Sequence, residues 1–167
     1  MNLSDADKPL EPVFTAFGYA AFWAFMWEAE LAALACTLKR IHTPAITPTE
    51  LDQFDALLRS KRTAGQMIER ELDGFLVGQD ALRTSLKKIT ESRNRLIHRF
   101  YEEQIPNLNS EDGRSLAVRE IESLSAHLRA GCALVRDIYM QLACAKFQDV
   151  DTILKKSQDD ALSRWEE

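Results

Sequence analysis

Apolar side chains recur along this chain every three to four positions, and no stretch alternates apolar and polar residues as a strand would. The longest apolar run, VFTAFGYAAFWAFMW at residues 13–27, passes 15 positions without a charge before Glu28 and Glu30. A bilayer span wants roughly 20 apolar residues, and two carboxylates fall inside any window that long here. The run therefore predicts a core helix and no membrane partner. Phe14, Phe17, Ala21, Phe25, Leu31, Leu34 and Leu38 form its wide buried stripe, and the surplus of aromatics also suits a subunit interface.

Cap and breaker residues divide the rest. Thr47-Pro48-Thr49-Glu50 sets a cap residue before a proline and a glutamate, and opens a helix carrying Leu51, Phe54, Leu57 and Leu58. Thr63 and Gln66 repeat that signal ahead of Met67, Ile68 and Leu72, with Gly74 and Gly78 closing a short helix. A fourth helix spans about 79–103 and stops at the polar turn QIPNLNSEDG. From about Ser110 a long helix carries Leu116, Ile121, Leu124, Leu128, Leu134, Val135, Ile138, Leu142 and Phe147. The expected fold is an all-α up-and-down bundle of four to five main helices. Residues 1–12 read as an N-terminal arm, 13–148 as the bundle, and 149–167 as a C-terminal helix or tail.

Composition adds limits to this picture. With 167 residues, 46% hydrophobic and 28% charged, the chain suffices for one domain with a real core. Cys36, Cys132 and Cys144 lie in helical patterns without a Cys-x-x-Cys pair or a histidine at zinc spacing, which predicts buried thiols and no metal site. The acidic start MNLSDADKPLEP lacks a basic n-region, so a cytoplasmic location is expected. A net charge of −5 disfavours a dedicated nucleic-acid binder. Locally the balance reverses: between Arg83 and Arg99 stand Arg83, Lys87, Lys88, Arg93, Arg95 and Arg99 against Glu91 alone. Arg59, Lys61 and Arg62 form a second basic cluster. No glycine loop that could cradle a phosphate is present, and no nucleophile motif.

The fourth helix holds the odd residue. Projected at about 100° per residue, Leu86, Ile89, Leu96, Ile97 and Phe100 make its buried stripe, with Arg93 in their midst. Asn94, His98 and Tyr101 follow one flank at i, i+4 and i+7. Arg93 and His98, five residues apart, sit about 140° from each other and do not directly face. A guanidinium in a core stripe needs a carboxylate, carbonyls or a wet groove. A register-fixing ion pair with Glu28 or Glu30 is one reading, and a groove-facing functional group is the other. His42 reads as a cation at a helix C-terminus and His127 as a residue without a ligand pattern.

The run Arg93-Asn94-Arg95-Leu96-Ile97-His98, late in an all-helical chain and followed by Phe100, resembles the HEPN superfamily of small helical-bundle proteins. That family is marked by an arginine followed four to six residues later by a histidine. The resemblance implies a homodimer whose motif helices meet at a shared cleft, and a metal-independent endoribonuclease activity that uses no cofactor. Arg93 would stabilise charge on the scissile phosphate, and His98 would move the proton of the 2′-hydroxyl or the leaving group, with Asn94 and Tyr101 in support. Lys88, Arg95 and Arg99 of the basic strip are the expected RNA phosphate contacts. A toxin or phage-defence role is implied, with an antitoxin or nucleotidyltransferase as the partner. In the toxins paired with a nucleotidyltransferase, the modified tyrosine stands two residues after the histidine; here that place holds Phe100 and Tyr101 comes next. Many members are instead non-catalytic interaction or nucleotide-binding modules, the alternative reading for this chain.

Overall fold

The computed structural model describes residues 8–42, 63–144 and 150–165, together with positions 52 and 56. The helix expected from Thr47 to Leu58, the cluster of Arg59, Lys61 and Arg62, and Phe147 lie outside the described residues. Within them the chain is helical throughout, without a strand, as the apolar periodicity predicts. The helices are α1 (Glu11–His42), α2 (Ala64–Met67), α3 (Asp80–Asn94), α4 (Phe100–Gln104), α5 (Glu111–Cys144) and α6 (Val150–Trp165). Two π-turns interrupt them, Ile68–Leu72 after α2 and Arg95–Arg99 between α3 and α4.

Local chemistry sets several boundaries. Thr63 and Gln66 form the reciprocal capping box that opens α2: the Thr63 hydroxyl accepts from the Gln66 amide at 3.3 Å and the Gln66 side chain accepts from the Thr63 amide at 3.1 Å. Gly78 takes φ +76, a left-handed conformation natural to glycine, and turns the chain into α3. The Arg83 guanidinium pairs with Asp73 and donates to the carbonyls of Asp73 and Leu76, which ties the first turn of α3 to the turn before it.

Side-chain contacts fix how the long helices run. Cys132 Sγ lies 4.0 Å from the Trp23 carbonyl and Arg136 pairs with Glu30, so α5 runs parallel to α1. Trp27 opposes Thr90 and Phe17 opposes Tyr101, so the α3–α4 segment runs antiparallel to α1. A Cβ on Gly131 would stand 2.8 Å from Ile89, marking the close approach of α3 and α5. Trp27, Leu31, Leu34 and Leu38 of α1 meet Leu82, Leu86 and Ile89 of α3 and Ile121, Leu128, Val135 and Ile138 of α5 in one core. The Trp27 indole N–H donates to Thr90 Oγ1 at 3.2 Å, and that hydroxyl donates to the Leu86 carbonyl at 2.9 Å, leaving neither buried group unpaired. α6 packs on α3 and α5 with Leu154 buried.

The first helix departs from the expected stripe. Leu31, Leu34 and Leu38 are buried as anticipated, but Phe14 and Phe25 face solvent, and Phe17 and Ala21 are only partly buried. Val13, Ala20, Ala24 and Trp27 take the core positions instead. α1 packs along its length against α5 and also meets the segment around α3, and helices approach closely where side chains are small, so Ala20, Ala24, Ala32 and Ala35 are among its buried residues. Cys132 is buried and Cys36 half-buried, whereas Cys144 is exposed, contrary to the expectation of three buried thiols. Burial, with a smaller contribution from the Glu30 carboxylate, pushes the Cys132 thiol up to about 12.

Candidate functional site

The motif straddles the π-turn. In an α-helix, residues five apart diverge around the axis, but in a π-turn the backbone hydrogen bond runs from i to i+5 and brings such residues over one another. The Arg95–Arg99 turn therefore closes the gap expected from a regular helix. Arg93 Nη1 lies 2.9 Å from His98 Nε2. The extra residue also rotates the next turn of the helix. Leu96 and Phe100 stay buried, while Ile97 leaves the expected stripe and is 37% exposed.

Arg93 stands at the edge of the core, its side chain 15% exposed. Its Nη2 pairs with Glu28 Oε1 at 2.6 Å, and its Nη1 donates to Asn94 Oδ1 at 3.2 Å as well as to His98. Its Nε, although buried, has no hydrogen-bond partner. Of the two carboxylates expected as partners, Glu28 takes Arg93 and Glu30 takes Arg136. Arginine can only donate, so in this contact His98 Nε2 takes the acceptor's part. The result is a line of three side chains, Glu28 to Arg93 to His98, in which a carboxylate anchors a guanidinium and the guanidinium orients an imidazole. His98 and Asn94 are exposed, so a ligand can reach them.

Tyr101 does not share that row. It packs against Phe17 at 4.8 Å and edge-on to Phe100, and partial burial raises its phenol above the usual value. Phe100, in the place of the family's modified tyrosine, is fully buried.

The basic strip divides between separate surroundings. Arg83 is bound to the turn before α3. Arg95 pairs with Glu103 at 3.0 Å and with Glu120. Lys88 and Arg95 line a groove of about 480 Å³ between α3 and α5 with Glu91, Ser92, Glu120, Ser123 and His127, and neither Arg93 nor His98 lines it. Within that groove Ser92 Oγ and His127 Nδ1 stand 3.5 Å apart. Arg99 is exposed. His42 stacks on Phe75 at 4.9 Å. Sequence periodicity could not foresee this split, because the acids that hold Arg95 come from positions 103 and 120. Among the described residues no group of three His, Cys, Asp or Glu side chains converges as metal ligands would.

No family model, no curated protein and no solved structure matches this chain.

Proposed function

We propose that this chain is a metal-independent endoribonuclease of the HEPN type, acting as a homodimer at a cleft that holds Arg93 and His98, in a toxin or phage-defence role. The observation that carries this reading is the 2.9 Å approach of Arg93 Nη1 to His98 Nε2, made by an interruption in the helix at the motif itself. Such π-turns cost backbone regularity and are frequent at functional sites.

The chemistry rests on the donors and acceptors. An RNA phosphate entering beside Arg93 competes for Nη1, the nitrogen that serves the exposed Asn94 and His98. As the guanidinium turns to the phosphate, His98 Nε2 becomes available to accept the proton of the 2′-hydroxyl. The 2′-oxygen attacks the adjacent phosphorus, the bond to the 5′-oxygen breaks, and that oxygen leaves with a proton from the medium. The products are a 2′,3′-cyclic phosphate and a 5′-hydroxyl. Glu28 holds Nη2 while Nη1 shifts from His98 to the phosphate, so charge on the phosphorane meets a cation already in place.

A second reading draws on the same ion pair. Arg93 and Glu28 join α3 to α1, and a non-catalytic interaction or nucleotide-binding module would need only that tie. The readings separate when the purified chain is incubated with RNA in EDTA and the new ends are analysed. The nuclease reading expects cyclic phosphate and 5′-hydroxyl ends from the wild type and none from His98→Ala. Intact RNA from both would favour the module.

A further inference from the structure

Phe14, Tyr19, Phe22 and Phe25 of α1 are 41, 52, 53 and 61% exposed within three turns. At 100° per residue, Phe14, Gly18, Ala21, Phe22 and Phe25 share one strip about 100° wide. A Cβ on Gly18 would meet nothing within 4 Å, so the strip has a hollow between its phenylalanines. The strip borders the candidate site. Arg93 on Glu28 and Tyr101 on Phe17 bracket the exposed Ile97, which sets that residue alongside the stretch of α1 between Phe17 and Glu28. Soluble monomers seldom keep a contiguous apolar patch of this kind bare.

The strip reads nearly the same in both directions. Phe14, Phe17 and Gly18 mirror Phe25, Phe22 and Ala21 about the bond between Tyr19 and Ala20. About a two-fold axis at that point, Phe14 of each copy meets Phe25 of the other, the reciprocal contact of an isologous interface. At roughly 200 Å² per aromatic side chain, the exposed fractions of Phe14, Phe22 and Phe25 leave about 300 Å² open on the strip. A stable interface needs about 800 Å² per partner, so the three rings supply over a third and the surrounding α1 surface with Ile97 must supply the rest.

We propose that α1 pairs antiparallel with α1 of a second copy of this chain, with Phe22 seated in the hollow at the second copy's Gly18 and Phe25 beside its Phe14. This deepens the dimer of the proposed function by giving it a seam. A two-fold axis perpendicular to two antiparallel helices keeps the same flank of each on one side. Both lines of Glu28, Arg93 and His98 therefore open on one face of the dimer.

Sedimentation equilibrium of the full chain tests the seam without reference to RNA, so its failure is distinct from failure of the nuclease reading. The wild type should show twice the 19.0 kDa of one chain, and Phe22→Glu combined with Phe25→Glu should be a folded monomer by circular dichroism. Should that variant not fold, Gly18→Leu serves instead, since its side chain enters open space in the monomer and fills the hollow in the dimer. In a Cys144→Ser background, oxidation should cross-link Ala21→Cys near the axis and leave Ala29→Cys uncrossed, because only the former brings two Cα atoms within about 7 Å. A wild-type monomer at high micromolar concentration overturns the proposal. So does a dimer that both strip variants leave intact, because its seam is then elsewhere. α1 is also long and apolar enough, by length and composition alone, to cross a membrane. A monomer that floats with mixed phosphatidylcholine and phosphatidylglycerol vesicles would assign the strip to lipid and overturn the second copy as its occupant.

Discussion

Replacing Arg93 by alanine removes the central member of the line Glu28, Arg93, His98. The Arg93 and Glu28 side chains are 15% and 24% exposed, between the buried and surface limits. Breaking a fully buried pair costs about 3–5 kcal/mol because the surviving charge is stranded, whereas an exposed pair is worth at most about 1 kcal/mol. Partial solvent access to Glu28 lets water take over some of the lost bonds, so Arg93→Ala should cost about 1–3 kcal/mol. For a chain of this size each kcal/mol lowers Tm by roughly 2–4 °C, giving a fall of about 2–12 °C. Arg93→Lys keeps a cation for Glu28 but loses the planar fork that also reaches His98, and should cost less than about 1 kcal/mol. Urea melts of Arg93→Ala, Glu28→Gln and the double variant complete a cycle, with an expected coupling of about 1–2 kcal/mol. Strict additivity would refute the ion pair. A loss above about 4 kcal/mol for both Arg93→Ala and Arg93→Lys would make Arg93 a core strut and remove its place in the proposed chemistry.

Particular surroundings set three other outcomes. Cys144 is exposed while Cys132 is buried with its thiol pushed up to about 12, so iodoacetamide at pH 8 should label Cys144 quickly and Cys132 only after unfolding, as peptide mass mapping would read. A Cβ at position 113 would stand 1.9 Å from the Asn107 carbonyl oxygen, so Gly113→Ala should destabilise by roughly 1–3 kcal/mol in melts despite the better helix propensity of alanine. Because Glu103 and Glu120 already hold Arg95 while Arg99 is exposed, Arg99→Ala should weaken RNA binding and flatten its salt dependence more than Arg95→Ala, by filter binding across a salt series.

The all-helical fold was legible because its signals are local. Apolar spacing marked the helices, the Thr63 and Gln66 box marked the start of α2, and Gly78 marked the turn before α3. The candidate site was legible in part: Arg93 stood out as a cation in an apolar stripe, and Glu28 was one of two acids within reach. Two things were hidden. A π-turn leaves no simple periodic signature, so the sequence put Arg93 and His98 on different faces where the structure sets them 2.9 Å apart. On α1, hydrophobicity ranked Phe14 and Phe25 for the core, whereas the packed helix buries the smaller Ala20 and Ala24. Pattern measures how apolar a side chain is, and helix approach also weighs how large it is.

The measurement that reaches the central claim most directly is a matched set of wild type, His98→Ala and Arg93→Lys, incubated with total cellular RNA in EDTA while growth of the expressing cells is tracked. The wild type should cleave RNA and slow growth. His98→Ala should lose about 10²–10⁴-fold in rate with its melt nearly unchanged, the usual worth of general acid–base assistance. Arg93→Lys should lose rate while still folding, since a point charge cannot replace a planar fork at a phosphate. Equal growth of all three, with no RNA cleaved by the wild type, would contradict the nuclease and leave the Glu28, Arg93 and His98 line as a structural tie.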